Sequence, residues 1–552
     1  MALDYLHADD LTILLGLISA TVFLLNNLYK PQPLVHPILL GRQSDVGRAR
    51  NPSESAVYRN YGTGLMGRFP LRPAKEVHIL ADFIRPEVEA PRTLWSTKLT
   101  NGHLQDRAAA FATGLLRVTP IQPQKSDVLL LLNDCLEFIV ADLALASHSI
   151  TSITLSSANL LSPVLDSHSP SAIITHAFLL PQLLELIYDS PDRQSQHILI
   201  LVGEPSTQAM ASVASNVTVL KFADLEREGF KVEKILSPLP KPSDVFTVSF
   251  YESESGQVHG AQFTHENITA GVAAIRALLP MSNALSPLDT ILSAHSMSTA
   301  YGRAIAYTAI YEGTSFASIP TSELYHPDEH DVKKEDVQAI ARKYPIPSPT
   351  VIFLKPAHLN SMVNEIMASA RKSWLLYPIA WRHKLAGVSE GFITNQSLWD
   401  RLVFDGARAN VLGHAAATLR AVVVSGGHIA NDVLTPARIA LSVPLVNAFT
   451  HPLVAAPVLA SHPLDLQDIP SLKAAAHTGP PGVNVEVKLT GVNDDVVEAG
   501  GDPDGNLLVR GPPVGKQVGL EDYVHVAEAE DGWTPMEARA RVLTNGAFLL
   551  SM

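Results

Sequence analysis

From about residue 105 the chain alternates short apolar runs with segments whose apolar residues return at helical spacing. The run Asp127 to Leu132 is continuous in apolar character, the pattern of a strand buried on both faces. A helix is predicted over Leu136 to Ala146 and a second strand over Ser152 to Leu155. Ala172 to Thr175 and His197 to Val202 read as further strands, and Pro181 to Tyr188 as a helix. The rhythm resumes near Asp244, with a strand at Val245 to Phe250 and a helix at Asn267 to Leu279. Later strands are predicted at Thr350 to Leu354 and Leu419 to Val424, with a breaker, PIPSP, at 345–349. From about 480 the texture changes to short strands and turns: VNVEVKL, then GNLLVRG after the turn Asp502 to Gly505. Strands alternating with helices predict mostly parallel sheets covered by helices. The expected fold class is α/β, with two doubly wound subdomains, a small β-rich subdomain and an N-terminal transmembrane helix.

The expected segments are 1–30, a membrane anchor; 31–104, a linker and extension rich in Pro, Arg and Ser at its start; 105–240, the first α/β subdomain; 241–475, the second; and 476–552, the β-rich part. The anchor is read from Leu11 to Leu28, LTILLGLISATVFLLNNL, which carries no charge. As a helix it rises ~27 Å, near the lower limit for spanning a bilayer. A cleaved signal peptide opens with basic residues, whereas Asp4, Asp9 and Asp10 stand here and Lys30, Arg42, Arg48 and Arg50 follow. That asymmetry predicts an uncleaved anchor with the large domain in the cytosol, on the endoplasmic reticulum or another lipid-handling organelle.

With 552 residues the chain exceeds what one core supports. A net charge of -13 argues against a nucleic-acid partner, because neutralising phosphates takes clustered Lys and Arg. Cys135 is the only cysteine, so no intrachain disulfide forms, in keeping with a reducing compartment. His326 and His330 are spaced to share a metal on a helix, but Pro327 and the lack of a third nearby ligand argue against it, and no metal site is assigned. There is no G-x-S-x-G elbow, no G-x-G-x-x-G and no H-E-x-x-H.

The strand at Val245 to Phe250 runs into Tyr251-Glu252-Ser253-Glu254-Ser255-Gly256-Gln257-Val258-His259-Gly260, followed by Phe263-Thr264-His265-Glu266-Asn267. This resembles the phosphate-binding loop of the adenylate-forming (AMP-binding) superfamily, Y-T-S-G-T-T-G-x-P-K-G followed by T-H-x-N. In that family hydroxyls, backbone N–H groups and a lysine hold ATP phosphates. Ser255, Gly256, Gly260 and Thr264 keep the frame. Glu252 replaces a serine, Glu254 a threonine, and His259 stands at the lysine position. Unit charges of one sign 4 Å apart repel by ~1–4 kcal/mol at dielectrics between water and protein surface, so this loop is expected to repel ATP unless magnesium bridges it.

Other segments extend the resemblance, towards long-chain fatty acid–CoA ligases. Leu419 to Gly427 is similar to L-R-x-x-x-S-G-G, with Gly426 and Gly427 as the glycine pair. Val443 to Leu453 is similar to V-P-V-x-Q-G-Y-G-x-T-E: Phe449 keeps the aromatic position for a base, Pro452 stands at the threonine, and Leu453 at the magnesium-binding glutamate. A leucine offers no oxygen to a hard cation. Gly505 to Pro512 resembles G-E-L-x-V-R-G-P, and Asp531-Gly532-Trp533 the D-G-W before T-G-D. At that last aspartate's stretch, which binds ribose in the family, stand Met536, Glu537 and Ala538. In Ile291 to Arg303 the family histidine falls on Thr299, Arg303 is kept, and His295 is a shifted alternative. Since the sequence ends at Met552, about where the family hinge begins, the resemblance implies no C-terminal lid of ~100 residues and no adenylation lysine.

The resemblance thus implies a membrane-anchored, long-chain acyl-CoA synthetase-like protein in lipid metabolism. Its ATP/AMP site would be degenerate: Ser255, Gly256, His259, Gly260, Thr264, Gly426, Gly427 and Phe449, with no catalytic residue assigned. ATP/Mg and CoA are doubtful cofactors on this reading. The expected partners are a membrane through residues 11–28, a long-chain acyl ligand and an unidentified protein. The alternative is an active ATP-dependent fatty acid–CoA ligase with an unusual ATP site.

Overall fold

The computed structural model describes residues 9–28, 40–189, 196–326, 345–467, 475–520 and 530–551. Two 8-stranded sheets and one 6-stranded sheet organise them. The first sheet runs, edge to edge, Lys516–Val518, Val258–Thr264, Val245–Glu252, Thr151–Leu155, Asp127–Leu131, Ala172–His176, His197–Val202 and Val217–Lys221. Its six strands from Val245–Glu252 onward are parallel, and the two at the other end are antiparallel. The second sheet runs Leu459–Ala460, Leu445–Phe449, Ala421–Val424, Val351–Leu354, Thr290–Ser293, Ser315–Ser318, Arg92–Leu94 and Thr97–Leu99. It is parallel except for the pair at each end.

These strands are the apolar runs of the sequence. Val128, Leu130, Leu131, Val422, Val423 and Val424 have no exposed surface, as burial between two helical layers demands. Both sheets have the same connectivity at their centres. The chain enters a middle strand, adds a neighbour on one side, then crosses and builds outward on the other: Asp127–Leu131 is flanked by Thr151–Leu155 and Ala172–His176, and Thr290–Ser293 by Ser315–Ser318 and Val351–Leu354. Such reversals leave a crevice beyond the C-terminal ends of the strands, where α/β proteins place ligands.

The third sheet is antiparallel throughout: Ser44–Val46, Tyr58–Asn60, Glu486–Thr490, Asp504–Arg510, Thr534–Val542 and Phe548–Ser551. Sheet membership therefore does not follow chain order. The hairpin 245–264 completes the first sheet, Arg92–Leu94 the second, and Tyr58–Asn60 the third.

The N-terminal apolar run folds as the helix Asp10–Leu28. The expected transmembrane helix is not found: among the described residues no helix is long and apolar enough to cross a membrane. Its 19 residues rise ~28 Å, short of a ~30 Å hydrocarbon core. Asp10, Asn26 and Asn27 take up part of that length. Leu11, Ile13, Leu14, Leu17, Val22 and Phe23 of this helix are exposed.

Candidate functional site

The two strand-order reversals face each other. Beyond Asp127–Leu131 come Asn133 and Asp134, and beyond Ala172–His176 the ring of His176 accepts the Asn133 N–H at 3.0 Å. Asp134 reaches across to the loop that follows Thr290–Ser293, accepting the Met297 N–H at 2.8 Å and the Ser296 hydroxyl at 3.1 Å. Burial raises the Asp134 carboxyl to about 7 against these hydrogen bonds. In the second lobe, Ser425 Oγ is 2.9 Å from His295 Nε2 and 3.2 Å from the Tyr301 hydroxyl oxygen. Burial first, and the Lys355 ammonium second, hold His295 at about 3, so it is neutral at physiological pH.

Gly426 and Gly427 follow Ser425 with φ of 79° and 152°. At Gly426 a Cβ would lie 3.2 Å from the His295 ring, so the glycine lets the turn close over that imidazole. His295, the shifted alternative of the sequence, is thus in the site. Thr299 instead caps the helix Ala300–Glu312 through its hydroxyl, which accepts the Gly302 N–H at 3.2 Å. Arg303 sits beneath, 1 % exposed, paired with Asp142 at 3.3 Å and donating to Met297 O at 2.8 Å. It pins the second lobe to the first.

The phosphate-loop frame takes a different shape from an open cradle. Val245–Glu252 and Val258–Thr264 form a hairpin with Tyr251 opposite His259 and Phe250 opposite Gly260. The Ser253 N–H donates to Gln257 O at 2.8 Å, and the Gly256 N–H to Ser253 O at 2.9 Å. Gly256, at φ 78°, supplies the left-handed residue that closes such a turn. The Gln257 N–H donates to Ser253 Oγ at 3.2 Å, and the Ser253 and Ser255 hydroxyls are 2.8 Å apart. The Glu254 N–H donates to the Glu537 carboxylate at 3.2 Å.

Glu537 arrives there through an irregularity. The register between Asp504–Arg510 and Thr534–Val542 shifts between Asn506 and Leu508, and Glu537 takes φ 47°. Bulges re-aim side chains in this way. The carboxylate of the stretch 536–538 is therefore displaced onto the loop. Glu252, Glu254 and Glu537 now border one turn.

Two of the expected phosphate contacts also serve the fold. Gly260 admits the edge strand Lys516–Val518, because a Cβ there would lie 2.7 Å from Val518 Cγ2. Thr264 caps the helix His265–Arg276, its hydroxyl accepting the Asn267 N–H at 3.3 Å and donating to Asn267 Oδ1 at 3.0 Å. Asn267 Nδ2 then donates to Pro512 O at 2.7 Å and Val514 O at 3.1 Å. The T-H-x-N and R-G-P segments are thereby tied together.

His259 keeps a buried Nδ1 without a hydrogen-bond partner. Its ring is 6.1 Å from that of Tyr251, which has His451 on another side, also at 6.1 Å. Burial lowers His451 to about 4. Phe449 ends Leu445–Phe449, half-buried, and accepts the Val458 N–H at 2.8 Å. Leu453 is 1 % exposed within the run Leu453 to Ala456, on which the helix His265–Arg276 packs.

The predicted residues thus form two groups, the hairpin turn with Tyr251, His451 and Glu537, and the Ser425 turn with His295, Tyr301 and Lys355. Asp134, Tyr301 and Lys355 escaped the sequence reading. Their signal is positional: Lys355 directly follows the apolar strand Val351–Leu354, and Asp134 follows the apolar run ending at Leu132 with only Asn133 between. His330 lies outside the described residues. Among the described residues no group of three or more His, Cys, Asp and Glu could hold a metal ion.

Residues 85–517 match the family described as AMP-binding enzyme. The human long-chain-fatty-acid–CoA ligase 1 is 26% identical over 312 residues, covering 56% of this chain and 41% of that protein. The peroxisomal long chain acyl-CoA synthetase 7 of Arabidopsis thaliana is 23% identical over 418 residues, covering 72% of this chain and 53% of that one. The chain thus spans about half the length of these relatives. Among solved structures, a long-chain-fatty-acid-CoA ligase from Archaeoglobus fulgidus superimposes with a TM-score of 0.58 at 14% identity, over 88% of this chain and 84% of that one. That likeness establishes the adenylate-forming α/β fold.

Proposed function

Since this chain belongs to the AMP-binding enzyme family, we propose that it is a long-chain acyl-CoA synthetase-like protein that binds an acyl ligand or a protein partner in lipid metabolism without forming adenylates. The observation that carries the reading is the closed hairpin turn. Its N–H donors at Ser253, Glu254, Gly256 and Gln257 already have partners, and three carboxylates border it. A triphosphate would meet negative charge where the family places donors and a lysine. Leu453, buried and apolar, supports the same reading for magnesium. Preorganised electrostatics of this kind are usually the largest catalytic contribution, ~3–4 kcal/mol for a single donor. The test is fatty-acid-dependent pyrophosphate release from purified protein with ATP and magnesium. None above background is expected, while a fluorescent long-chain fatty acid should still bind. Acyl-CoA formed by the unmodified chain would overturn the reading.

An active ATP-dependent ligase is the second reading. It is favoured by family membership, by the names of the relatives, and by His259, whose unpartnered ring nitrogen stands at the lysine position. ATP/Mg and CoA would be its substrates. The apolar residues exposed along Asp10–Leu28 support association of the chain with a membrane. On this reading the folded domains lie in the cytosol, against a lipid-handling organelle.

A further inference from the structure

The polypeptide turns a surface corner between the helices Pro356–Arg371 and Tyr377–Ser389. Pro378 stands in the first turn of the second helix, where its missing N–H costs nothing. That helix buries Ala380, Lys384 and Val388, one stripe at i, i+4, i+8 spacing, and Asp400 neutralises the Lys384 ammonium there at 2.9 Å. Its opposite side is not uniformly polar. Ile379 is exposed, and the corner before it presents Trp374, Leu375 and Leu376 in succession, with Trp374 74 % exposed. The ring pairs Tyr377–Phe404 at 6.5 Å and His383–Trp399 at 6.3 Å lay the segment 398–404 beside this helix. That segment adds the exposed Leu398 and Leu402. Single exposed apolar residues need no account, but a run of this kind does.

Cations frame the corner. Arg371 and Lys372 precede it, and Arg382 follows Ile379 by three residues; all three are exposed and make no ion pair among the described residues. The segment 371–402 holds five Lys and Arg against two acidic residues, in a chain whose net charge is -13. Of those two, Asp400 is buried between Lys384 and Arg408, and Glu390 lies beyond the far end of the second helix. The carboxylates of the flanking helices, Glu365 and Asp405, are engaged by the Ser361 hydroxyl and by Arg408. The corner therefore presents indole and aliphatic surface flanked by unpaired positive charge. Contacts between proteins are depleted in Lys, whereas Trp and Leu beside Lys and Arg is the composition that settles in a lipid headgroup layer.

We propose that this corner is a contact surface for a bilayer with anionic lipids: Trp374, Leu375, Leu376 and Ile379 enter the headgroup layer, and Arg371, Lys372 and Arg382 meet lipid phosphates and carboxylates. It is separate from the helix Asp10–Leu28 and from both groups of the candidate site, so it stands whether or not adenylates form. Stable attachment takes two signals; the corner and that helix act together, and neither suffices alone. Intrinsic fluorescence isolates the corner. The helix Asp10–Leu28 contains no tryptophan, Trp95 and Trp533 are buried, and the others stand at 374, 381 and 399. When the whole chain is mixed with vesicles of phosphatidylserine and brominated phosphatidylcholine, tryptophan emission should be quenched, and Trp374→Phe should remove at least half of the quenching. Arg371→Ala, Lys372→Ala and Arg382→Ala together should weaken binding to anionic vesicles by roughly tenfold or more and leave binding to pure phosphatidylcholine unchanged, with folding checked by circular dichroism. Emission that bromolipid leaves unquenched, equal quenching in Trp374→Phe, or an anionic preference that survives the triple change overturns the proposal. A dimer that Trp374→Glu turns into a monomer, without quenching, would assign the corner to a second copy instead.

Discussion

Asn267 shows how much one side chain can hold. Its Oδ1 accepts from the Thr264 N–H at 2.8 Å and from the Thr264 hydroxyl, while its Nδ2 serves two carbonyls of the 512–514 segment. Asn267→Ala should cost about 2–3 kcal/mol, because it leaves several partly buried groups unpaired at once; urea denaturation reads this directly. Gly271, on the same helix, is equally constrained. A Cβ there would lie 2.5 Å from Ala455 O, so Gly271→Ala should destabilise even though alanine favours helices. Asp134 carries a pH signature. Its folded value near 7 is above the ordinary carboxylate range, so between pH ~4 and ~7 the folded state keeps a proton that the unfolded state has lost. Stability then falls as pH rises through that window, by up to ~1.4 kcal/mol per unit, and levels off above it. Asp134→Asn should flatten the profile and be the more stable form at pH 8, as chemical denaturation at pH 5 and pH 8 would show. At this scale the sequence names the motif letters but not their duties. Thr264 and Asn267 stand in a phosphate-loop frame and act as a cap and a tie, because a hydroxyl followed by an amide three residues on satisfies either role.

The hairpin 245–264 is the element in which sequence and site chemistry meet. Its turn was legible: Ser253-Glu254-Ser255-Gly256 places small and polar residues before a glycine, and the glycine closes the loop. Its return strand was not, since a resemblance to a flexible loop concealed that Val258–Thr264 would pair along its whole length. Glu537 was legible only as a letter out of place, for a bulge in its own strand sends its carboxylate to Glu254, 283 residues away in sequence. The triple change Glu252→Ser, Glu254→Thr and His259→Lys should therefore fail to produce pyrophosphate release, because Glu537 and Leu453 remain. A rescue by these three changes alone would mean that the loop is the only defect. The helix Asp10–Leu28 invites a simpler measurement. Deleting residues 1–28 should move the protein from the membrane pellet to the supernatant after cell fractionation, and a pelleted truncation would assign membrane attachment elsewhere.

For the whole molecule, apolar runs and breakers announced two α/β lobes and a β-rich part, because burial between layers demands continuous apolar strands. They did not announce which strands pair, since pairing is set by three-dimensional proximity and several partners come from distant sequence. The lobes are joined by a buried polar knot. Asp142 pairs with Arg303 and accepts the Tyr307 hydroxyl at 2.5 Å. Arg303→Met leaves that carboxylate uncompensated and should cost about 3–5 kcal/mol, whereas replacing both charges with apolar residues should cost less; a double-mutant cycle by denaturation distinguishes the two.

The antiparallel sheet that joins residues 44–60 to residues 486–551 also sets a timetable. Arg59 meets Glu486 across 427 residues, and Gln43 meets Asp465 across 422. At ~5–20 residues per second a ribosome needs roughly 20 to 90 s to make the intervening chain. During that interval the strand Tyr58–Asn60 has no partner from the C-terminal side, and the apolar helix ahead of it is already outside the tunnel. The two α/β lobes, whose parallel strands are mostly near neighbours in sequence, can consolidate meanwhile; the third sheet cannot. Its completion waits for the strands between 486 and 551, and until then the nascent chain depends on whatever shelters the strands Ser44–Val46 and Tyr58–Asn60.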